Sequence, residues 1–449
     1  ILLEMYPCVR KARGLLESHV VHDYESFLSR AHQENDQNKR SLLVDMTGLS
    51  PIHNGTSDAM ISITETMVTL GTGWQLSVVA NDEAAKFHRL AERFPSRVLR
   101  PDDSRQRFTV AMRLNQPWKL HDLIMLHRWG FFNVITILDT ISWDTIFAAP
   151  NGLDEAWRFA AENCDGIMYN SFFSKDRFNR RFPVSDAVPQ YVCSHSFAPN
   201  DYVSCDLRDQ NLDHGYILLI GNHFDHKFLA PTIEILAKSF PAERFMVLGC
   251  SDQRFKNVES VPSGFLEKSQ VARMFARSKF IVFPSFYEGF GFPVLTGLSY
   301  GKTVFARESE LIKEIASRYV GDGRLAVFNS QRDLVNKVGA ALHDPDAVPS
   351  ILRSASANGK TLLDWNFVAK GIIGFLDGIA SLPEKSKWLQ REFRIRPLTS
   401  LTTYVSERDA QISSLVQSWS WRMTAPLRSV TAFLRNSKKI KWFRKRTVA

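Results

Sequence analysis

The sequence predicts an α/β protein with two parallel sheets. Short apolar runs bounded by glycine, proline or polar residues recur along the chain, and such runs are typical of strands buried on both faces. Helical patterns alternate with these runs, which indicates strand–helix–strand connections between parallel strands. A polar stretch at 199–214 has neither pattern and divides the runs into two groups, so we expect a domain boundary there.

The composition is ordinary for a soluble globular protein. The 449 residues are enough for two or three domains with sizeable cores, and 44% of them are hydrophobic and 23% charged. Five scattered cysteines indicate neither a disulfide framework nor a metal site, and they favour a reducing cytosol. We find no signal peptide and no apolar run long enough for a transmembrane helix, and the first residue, Ile1, leaves open that the chain is part of a longer one.

The positive charge is concentrated at the C-terminal end. The formal net charge is +9, and residues 419–449 contain nine Lys and Arg side chains with no Asp or Glu. Phe433, Trp442 and Phe443 are interleaved with these cations. Such a stretch suits an anionic membrane surface, so we predict that 419–449 binds one; a solvated, disordered tail is the alternative. No nucleic-acid-binding fold is visible, and we expect no nucleic-acid partner.

The first group of runs predicts the first sheet. Residues 1–40 have a helical pattern, which we interpret as an N-terminal extension, and the first strand is predicted at 41–46. A helix follows, with its N-cap predicted at Thr56 or Ser57. The remaining predictions are strands at 74–80, 123–126, 133–138 and 166–169, and helices at 154–163 and from 170 onward.

The second group predicts another sheet. Its first strand is expected at 215–220 and ends in Gly221-Asn222, with Lys227 six residues after the glycine. The other predicted strands are 244–249, 280–283 and 303–306, and the predicted helices are 270–276, 293–301, 331–342, 349–363 and 365–379.

The stretch after the strand at 280–283 contains the strongest site signal. Glu288 is followed by Gly289 and Gly291, and Pro293 suits the first turn of a helix. Glycines let backbone N–H groups approach a ligand, and a helix N-terminus favours an anion. Ligands of parallel sheets bind beyond the carboxyl ends of the strands, so these residues predict an anion-binding site; a tight turn with a solvated glutamate is the alternative.

Residues 284–295 resemble the donor-binding signature of the retaining glycosyltransferases of family 4. That signature is proline and serine, one or two apolar or aromatic residues, Glu-Gly-Phe-Gly, any residue, proline and two apolar residues. The resemblance implies the GT-B fold, with two doubly wound Rossmann-like domains facing across a cleft. It places an acceptor domain at 41–205 and a donor domain at 206–380. The resemblance ends near 381, and we interpret 381–449 as a helical, basic tail. The implied donor site comprises Gly221, Asn222, Lys227, Glu288, Gly289, Phe290, Gly291, Phe292, Pro293, Val294, Leu295 and Thr296.

The resemblance also implies roles for single residues. Glu288 would contact the donor sugar, and Lys227 would hold the donor diphosphate. Asp139 is a third catalytic candidate, because relatives have a His-Asp pair near this place. The first-domain loop Asn54, Gly55 and Thr56 would close over the donor phosphate or the acceptor.

Three positions depart from the family pattern. Asn222 stands where the family has an arginine directly after the glycine, and Thr296 stands where it has a second glutamate eight positions after Glu288. Leu138 stands at the histidine of the His-Asp pair. These departures leave a catalytically degenerate partner or scaffold subunit as an alternative, and a sugar-nucleotide epimerase as a second one.

The function implied is transfer of a sugar, a mannose-like hexose as first hypothesis, from a GDP- or UDP-linked donor with retention of configuration. The acceptor would be a glycan or a lipid-linked glycan in bacterial surface polysaccharide synthesis, such as lipopolysaccharide O-antigen. No cofactor and no metal ion are expected. We expect a cytoplasmic protein, peripheral on the inner face of the cell membrane, that oligomerises through a heptad-like stripe at 398–419.

Overall fold

The computed structural model describes residues 18–71, 73–101, 107–145, 150–194, 215–251, 254–262, 264, 266–319, 321, 323–352, 364–397 and 414. The chain divides into two compact units, 1–388 and 389–449. The first unit contains both sheets. In the second unit, the described residues 389–397 and 414 are helical. No helix in the described ranges is long and apolar enough to cross a membrane.

The first sheet has seven parallel strands in the spatial order β3-β2-β1-β4-β5-β6-β7. Buried apolar side chains of its central strands, such as Leu42, Leu43 and Val44, explain why these strands appear in the sequence as continuous apolar runs. Its strands are β1 (Arg40–Asp45), β2 (Trp74–Val79), β3 (Val98–Leu99), β4 (Phe108–Arg113), β5 (Gly130–Ile137), β6 (Gly166–Tyr169) and β7 (Gln190–Val192).

Helices connect these strands and cover the sheet. Leu126, Trp157 and Phe178 come from three of them and share one hydrophobic cluster with the sheet. The helices of this part are α1 (Ser18–Asp36), α2 (Gly55–Thr69), α3 (Asp82–Phe87), α4 (Leu90–Arg93), α5 (Leu120–Trp129), α6 (Ile141–Asp144), α7 (Leu153–Asn163) and α8 (Phe172–Arg181).

The second sheet has six parallel strands in the order β10-β9-β8-β11-β12-β13. Its strands are β8 (Tyr216–Ile220), β9 (Phe245–Leu248), β10 (Val258–Val261), β11 (Ser278–Phe283), β12 (Thr303–Arg307) and β13 (Arg324–Phe328). Its helices are α9 (Leu229–Ser239), α10 (Lys268–Arg277), α11 (Phe292–Ser299), α12 (Glu310–Arg318) and α13 (Gln331–His343). Side chains of α9 and α13 share one hydrophobic cluster with the sheet, and side chains of α10, α11 and α12 share another. The helices therefore pack on the sheet in two separate groups, and the predicted doubly wound fold is confirmed.

Two helices outside the doubly wound cores pack on the first sheet. Glu34 in α1 accepts a hydrogen bond from Ser41 N in β1 at 2.8 Å, so this helix is attached to the sheet. Helix α14 (Trp365–Ala380) follows the second sheet and returns to the first, where Asp377 forms an ion pair with Arg40 at 2.6 Å.

Three local predictions need comment. Residues 123–126 lie within helix α5, not in a strand, because a four-residue apolar run cannot distinguish a strand from one turn of a buried helix. The N-cap of α2 is Asn54, not Thr56 or Ser57: its Oδ1 accepts from Ser57 N at 2.9 Å. Residues 349–352 are not helical, and 353–363 lie outside the described residues.

The domain limits remain predictions. The expected boundary at 205/206 falls within 195–214, which the structure does not describe. The heptad-like stripe at 398–419, apart from the helical residue 414, and the whole basic segment 419–449 also lie outside the described residues.

Candidate active site

Each sheet has one point where its strand order reverses, and ligands of open α/β sheets bind in the crevice at such a point. In the second sheet this point lies between β8 and β11. The loops that leave these two strands contain Lys227 and Glu288. Phe286 N donates a hydrogen bond to His226 O at 2.8 Å, which joins the two loops directly.

Lys227 and Glu288 form an ion pair across this crevice. Lys227 Nζ donates to Glu288 Oε1, and the two side chains are 16% and 18% exposed. Lys227 ends a short 3₁₀ turn, Asp225–Lys227. Two of the predicted catalytic residues therefore meet, in a position that solvent and a small ligand can still reach.

Backbone conformation explains the glycines of the loop after β11, residues 284–291, which we call the donor loop. Gly291 is the N-cap of α11, and its φ of +85° is a left-handed conformation that favours glycine. A Cβ on Gly289 would collide with Leu138 O and lie 3.0 Å from Asp139 Cβ. The glycine therefore lets the donor loop touch the first domain.

Asp139 lies two residues after the end of β5, beside this contact. Its Oδ1 accepts hydrogen bonds from Ile141 N at 3.1 Å and from Gln116 Nε2 at 3.5 Å. Burial raises the pKa of Asp139 above its ordinary value, and the negative charge of Glu288 adds to this; the two hydrogen bonds and Lys227 oppose the shift. The structure thus brings all three predicted catalytic residues together.

Hydroxyl groups of the first domain hold the donor loop. Ser171 Oγ lies 2.7 Å and Ser174 Oγ 3.1 Å from Gly289 O, and Ser174 Oγ also lies 2.9 Å from Leu138 O. Ser171 is the N-cap of α8, so the N-terminus of this first-domain helix contacts the donor loop of the other domain.

Tyr287 is a second link between the domains. Its buried hydroxyl accepts from Thr140 N at 3.1 Å and donates to Asp144 Oδ2 at 3.0 Å. Burial raises the pKa of Tyr287, so the phenol stays protonated and can donate.

The first-domain loop also reaches the donor stretch. The predicted loop residues are not a loop here: Asn54 is the N-cap of α2, and Gly55 and Thr56 belong to its first turn. A Cβ on Gly55 would lie 3.0 Å from the Phe292 ring, which places the start of α2 against the start of α11. His53 N donates to Gly264 O at 3.4 Å, and Lys268 and Asp58 form an ion pair at 3.4 Å.

The departures from the family pattern have visible consequences. Asn222 Oδ1 accepts from Phe224 N at 3.1 Å, so this side chain folds back onto its own loop. His226 cannot replace the missing arginine charge near neutral pH, because burial and the adjacent Lys227 lower its pKa to about 4. Thr296 is 7% exposed within α11, and Leu138 contributes its carbonyl to the Ser174 contact.

The other predicted donor residues support the loop. The rings of Phe290 and Phe292 are 4.9 Å apart in an edge arrangement, and Val294 and Leu295 are buried in the core. Pro293 occupies the first turn of α11, and Gly221 lies so close to Gly249 that a Cβ on Gly249 would overlap the Gly221 backbone.

Sequence reasoning missed three site residues. Gln116 and Tyr287 act through partners from distant parts of the chain, and Tyr287 could have been noticed because it lies inside the donor signature. Arg307, 8% exposed, donates to Pro284 O at 3.1 Å and lies 3.9 Å from the centre of the Phe286 ring, beneath the donor loop. In the described ranges we find no group of three or more His, Cys, Asp or Glu that could hold a metal ion; that none is needed stays a prediction.

Comparison with known proteins bears on the family and the fold. Residues 252–360, which include the donor loop, match the family model of glycosyl transferases group 1. No curated protein sequence is significantly similar to the chain.

Three solved structures illustrate the similarity of fold. The chain is similar to HepE (Alr3699) from Anabaena in complex with UDP and glucose, with a TM-score of 0.57, 15% identity and coverage of 76% of this chain and 100% of that one. TarM has a TM-score of 0.56 at 8% identity, covering 76% and 99%. The pneumococcal O-GlcNAc transferase GtfA in complex with UDP and GlcNAc has a TM-score of 0.51 at 7% identity, covering 80% and 99%.

The two sheets and these neighbours identify the fold as GT-B. The family match over the donor loop then identifies the protein as a glycosyltransferase.

Proposed function

We propose that the protein transfers a hexose from a nucleoside-diphosphate sugar to a glycan hydroxyl, with retention at the anomeric carbon. The observation that carries this proposal is the Lys227–Glu288 pair, placed at the strand-order reversal of the second sheet and next to Asp139 of the first domain. The donor stretch and its resemblance to family 4 supply the stereochemical part of the proposal.

The proposed reaction exchanges one bond at the anomeric carbon for another. The C1–O bond to the diphosphate breaks, a C1–O bond to the acceptor hydroxyl forms, and the hydroxyl proton leaves with the nucleoside diphosphate. Lys227 and the N–H groups at the start of α11 stabilise the charge of the departing diphosphate. Glu288 and Asp139 orient the hydroxyl groups of the sugar.

The structurally similar proteins narrow the proposal for the nucleotide base and the sugar of the donor. HepE and GtfA were solved with UDP, and HepE also with UDP-glucose, which favours a UDP-linked hexose over the GDP-linked mannose-like donor of the family hypothesis. We further propose a lipid-linked or growing glycan acceptor of a bacterial surface polysaccharide, reached from the inner face of the cell membrane through 419–449.

A thermal-shift titration tests donor binding. A ligand that binds the folded state alone raises its stability by about 2.7 kcal/mol at 100 times its dissociation constant. We expect UDP and UDP-glucose to raise Tm more than GDP and GDP-mannose, and Lys227→Met to abolish the shift. Lys238→Met is the matched control, because Lys238 forms an exposed ion pair with Glu234 on α9, remote from the donor loop.

Turnover tests catalysis separately. We expect Glu288→Gln to lower kcat for UDP-glucose hydrolysis by about 10²-fold, the scale for loss of one transition-state contact. A Tm shift with no hydrolysis or transfer would instead favour the scaffold subunit, which the neutral His226 and the folded-back Asn222 also favour. No shift with any nucleotide would refute the donor site.

A further inference from the structure

Gln116 is a buried amide between the carboxyl ends of two neighbouring strands. It follows β4 and is 3% exposed. The next residue is anchored in the core, because Pro117 O accepts a hydrogen bond from the buried Trp157 Nε1 at 2.8 Å. The Gln116 side chain therefore extends toward β5 from a fixed backbone.

This side chain binds the segment that contains Asp139. Gln116 Oε1 accepts from Leu138 N at 3.1 Å and from Asp139 N at 3.2 Å, and Nε2 is 3.5 Å from Asp139 Oδ1. A buried N–H left without an acceptor costs stability, so both backbone contacts constrain the segment. The opposite side of the segment is held by Ser174 Oγ at Leu138 O.

The same contacts orient the carboxylate. Among the described residues, the hydrogen bonds to Asp139 from Ile141 N and Gln116 Nε2 both go to Oδ1, and none goes to Oδ2. The donor loop touches Asp139 through Gly289, one residue after Glu288. One oxygen is thus held by the protein while the other remains for a ligand in the cleft.

We propose that Gln116 is a positioning residue, which fixes Asp139 so that Oδ2 meets a hydroxyl group of the donor sugar. This inference rests on the proposed function. Misplacing a reacting group by about 1 Å can cost about 10²-fold in rate, so a residue outside the reacting shell can have a large effect on kcat.

Two substitutions separate positioning from general stability. Gln116→Glu keeps an acceptor for both backbone N–H groups but puts negative charge beside Asp139, which already faces Glu288 and Lys227. We expect a lower Tm, because the new carboxyl group is buried beside Asp139. We also expect a nearly unchanged KM for UDP-glucose, a kcat for its hydrolysis lower by about tenfold or more, and an acid limb of the kcat–pH profile moved to higher pH. Gln116→Leu removes the acceptor and should lower both Tm and kcat.

Asn257→Asp is the matched amide-to-acid control. Asn257 Nδ2 donates to three carbonyls at 3.2 Å, those of Ala237, Phe240 and Glu243, at the amino end of the second sheet. The Asn257→Asp substitution should lower Tm without moving the kcat–pH profile. The shift caused by Gln116→Glu should vanish in an Asp139→Asn background.

Four results would decide against the inference or its basis. An unchanged pH profile in Gln116→Glu, or an equal shift in the Asp139→Asn background, would overturn the positioning role. Failure of the wild type to bind or hydrolyse UDP-glucose would instead refute the UDP-linked donor of the proposed function. In that case additive Tm changes of Gln116→Glu and Asp139→Asn between pH 5 and 8 would still overturn the link between the two residues.

Discussion

Asp139 is a carboxyl group in an environment that disfavours its charge. Burial raises its pKa, and Glu288 adds negative charge nearby. Between the ordinary pKa of an aspartate and this raised value, the folded protein keeps a proton that the unfolded chain has lost. Stability therefore falls as the pH rises through that window, and the cost is complete above it.

We predict that Asp139→Asn raises Tm at pH 7.5 and lowers kcat for UDP-glucose hydrolysis by about 10²-fold. Asparagine has nearly the same shape and keeps an acceptor for Ile141 N, but it cannot ionise. Calorimetry and initial rates on one preparation give both numbers. A lower Tm would contradict the account of its burial, and unchanged kcat would remove Asp139 from the mechanism.

His226 responds to pH in the opposite direction. Burial and Lys227 lower its pKa to about 4, while Glu288 and Asp225 partly oppose this. Between pH 6.5 and 4 the unfolded chain binds a proton that the folded chain does not, so stability falls as the pH falls. The ring is half-buried, and solvent screening reduces the effect to about 1–2 kcal/mol.

His226→Gln should therefore lose less stability than the wild type between pH 7 and pH 4.5. Urea unfolding at several pH values measures the difference. Parallel curves for the two proteins would show that the histidine does not titrate with an altered pKa.

At the scale of elements, the donor loop depends on close contact with the first domain. A Cβ on Gly289 would collide with the backbone oxygen of Leu138. This oxygen cannot move aside as the end of a flexible side chain could. We predict that Gly289→Ala costs about 1–3 kcal/mol of stability and lowers donor affinity.

Gly374→Ala is the control, because its Cβ would meet nothing within 4 Å in helix α14, where alanine should add about 0.5–1 kcal/mol of stability. Urea unfolding and UDP titration of both variants check this; a tolerated Gly289→Ala would show that the loops separate freely.

The elements also show what the sequence could and could not predict. Strands such as β8 and β11 are apolar and buried on both faces, so their runs were visible. Strand β4 was missed because Thr109 and Arg113 interrupt its apolar run. Thr109 N donates to Ser41 Oγ and Arg113 pairs with Asp45 at 2.5 Å, both partners lying 68 residues away.

The site divides in the same way. The signature at 284–295 indicated Glu288, and the spacing after Gly221 indicated Lys227, because each pattern is local in sequence. The Gln116 and Tyr287 contacts join segments 22 to 147 residues apart, so only the fold brings them together.

At the scale of the whole molecule, an acid of one domain caps a helix of the other. Glu314 in α12 accepts from Phe172 N at 3.0 Å and Phe173 N at 2.8 Å, at the start of α8. We predict that Glu314→Ala lowers stability by about 1–2 kcal/mol and reduces the cooperativity between the domains.

Scanning calorimetry measures both effects. The unfolding peak of Glu314→Ala should broaden or split, whereas that of Glu310→Ala should not, because Glu310 is an exposed residue at the start of the same helix. A sharp single peak in both variants would show that the Glu314 contacts do not couple the domains.

The charge distribution of the chain leads to the last prediction. With nine of the 56 basic residues in 419–449 and none of the 47 acids, the remaining 47 basic residues balance the acids, and the tail carries the whole excess. A cation near an anionic membrane surface contributes about 1 kcal/mol, and salt screens it.

We therefore predict that the full chain co-sediments with vesicles containing phosphatidylglycerol, that it does so less at 0.5 M salt, and that a chain ending at residue 418 does not. The double variant Trp442→Ser, Phe443→Ser keeps all nine cations and tests whether the aromatic rings insert into the bilayer. If the binding that remains at 0.5 M salt in the wild type is lost in this variant, the rings insert. Equal sedimentation of the full and shortened chains would place the membrane contact elsewhere. No sedimentation of either would leave the tail as a solvated segment, and the acceptor would then have to reach the enzyme in solution.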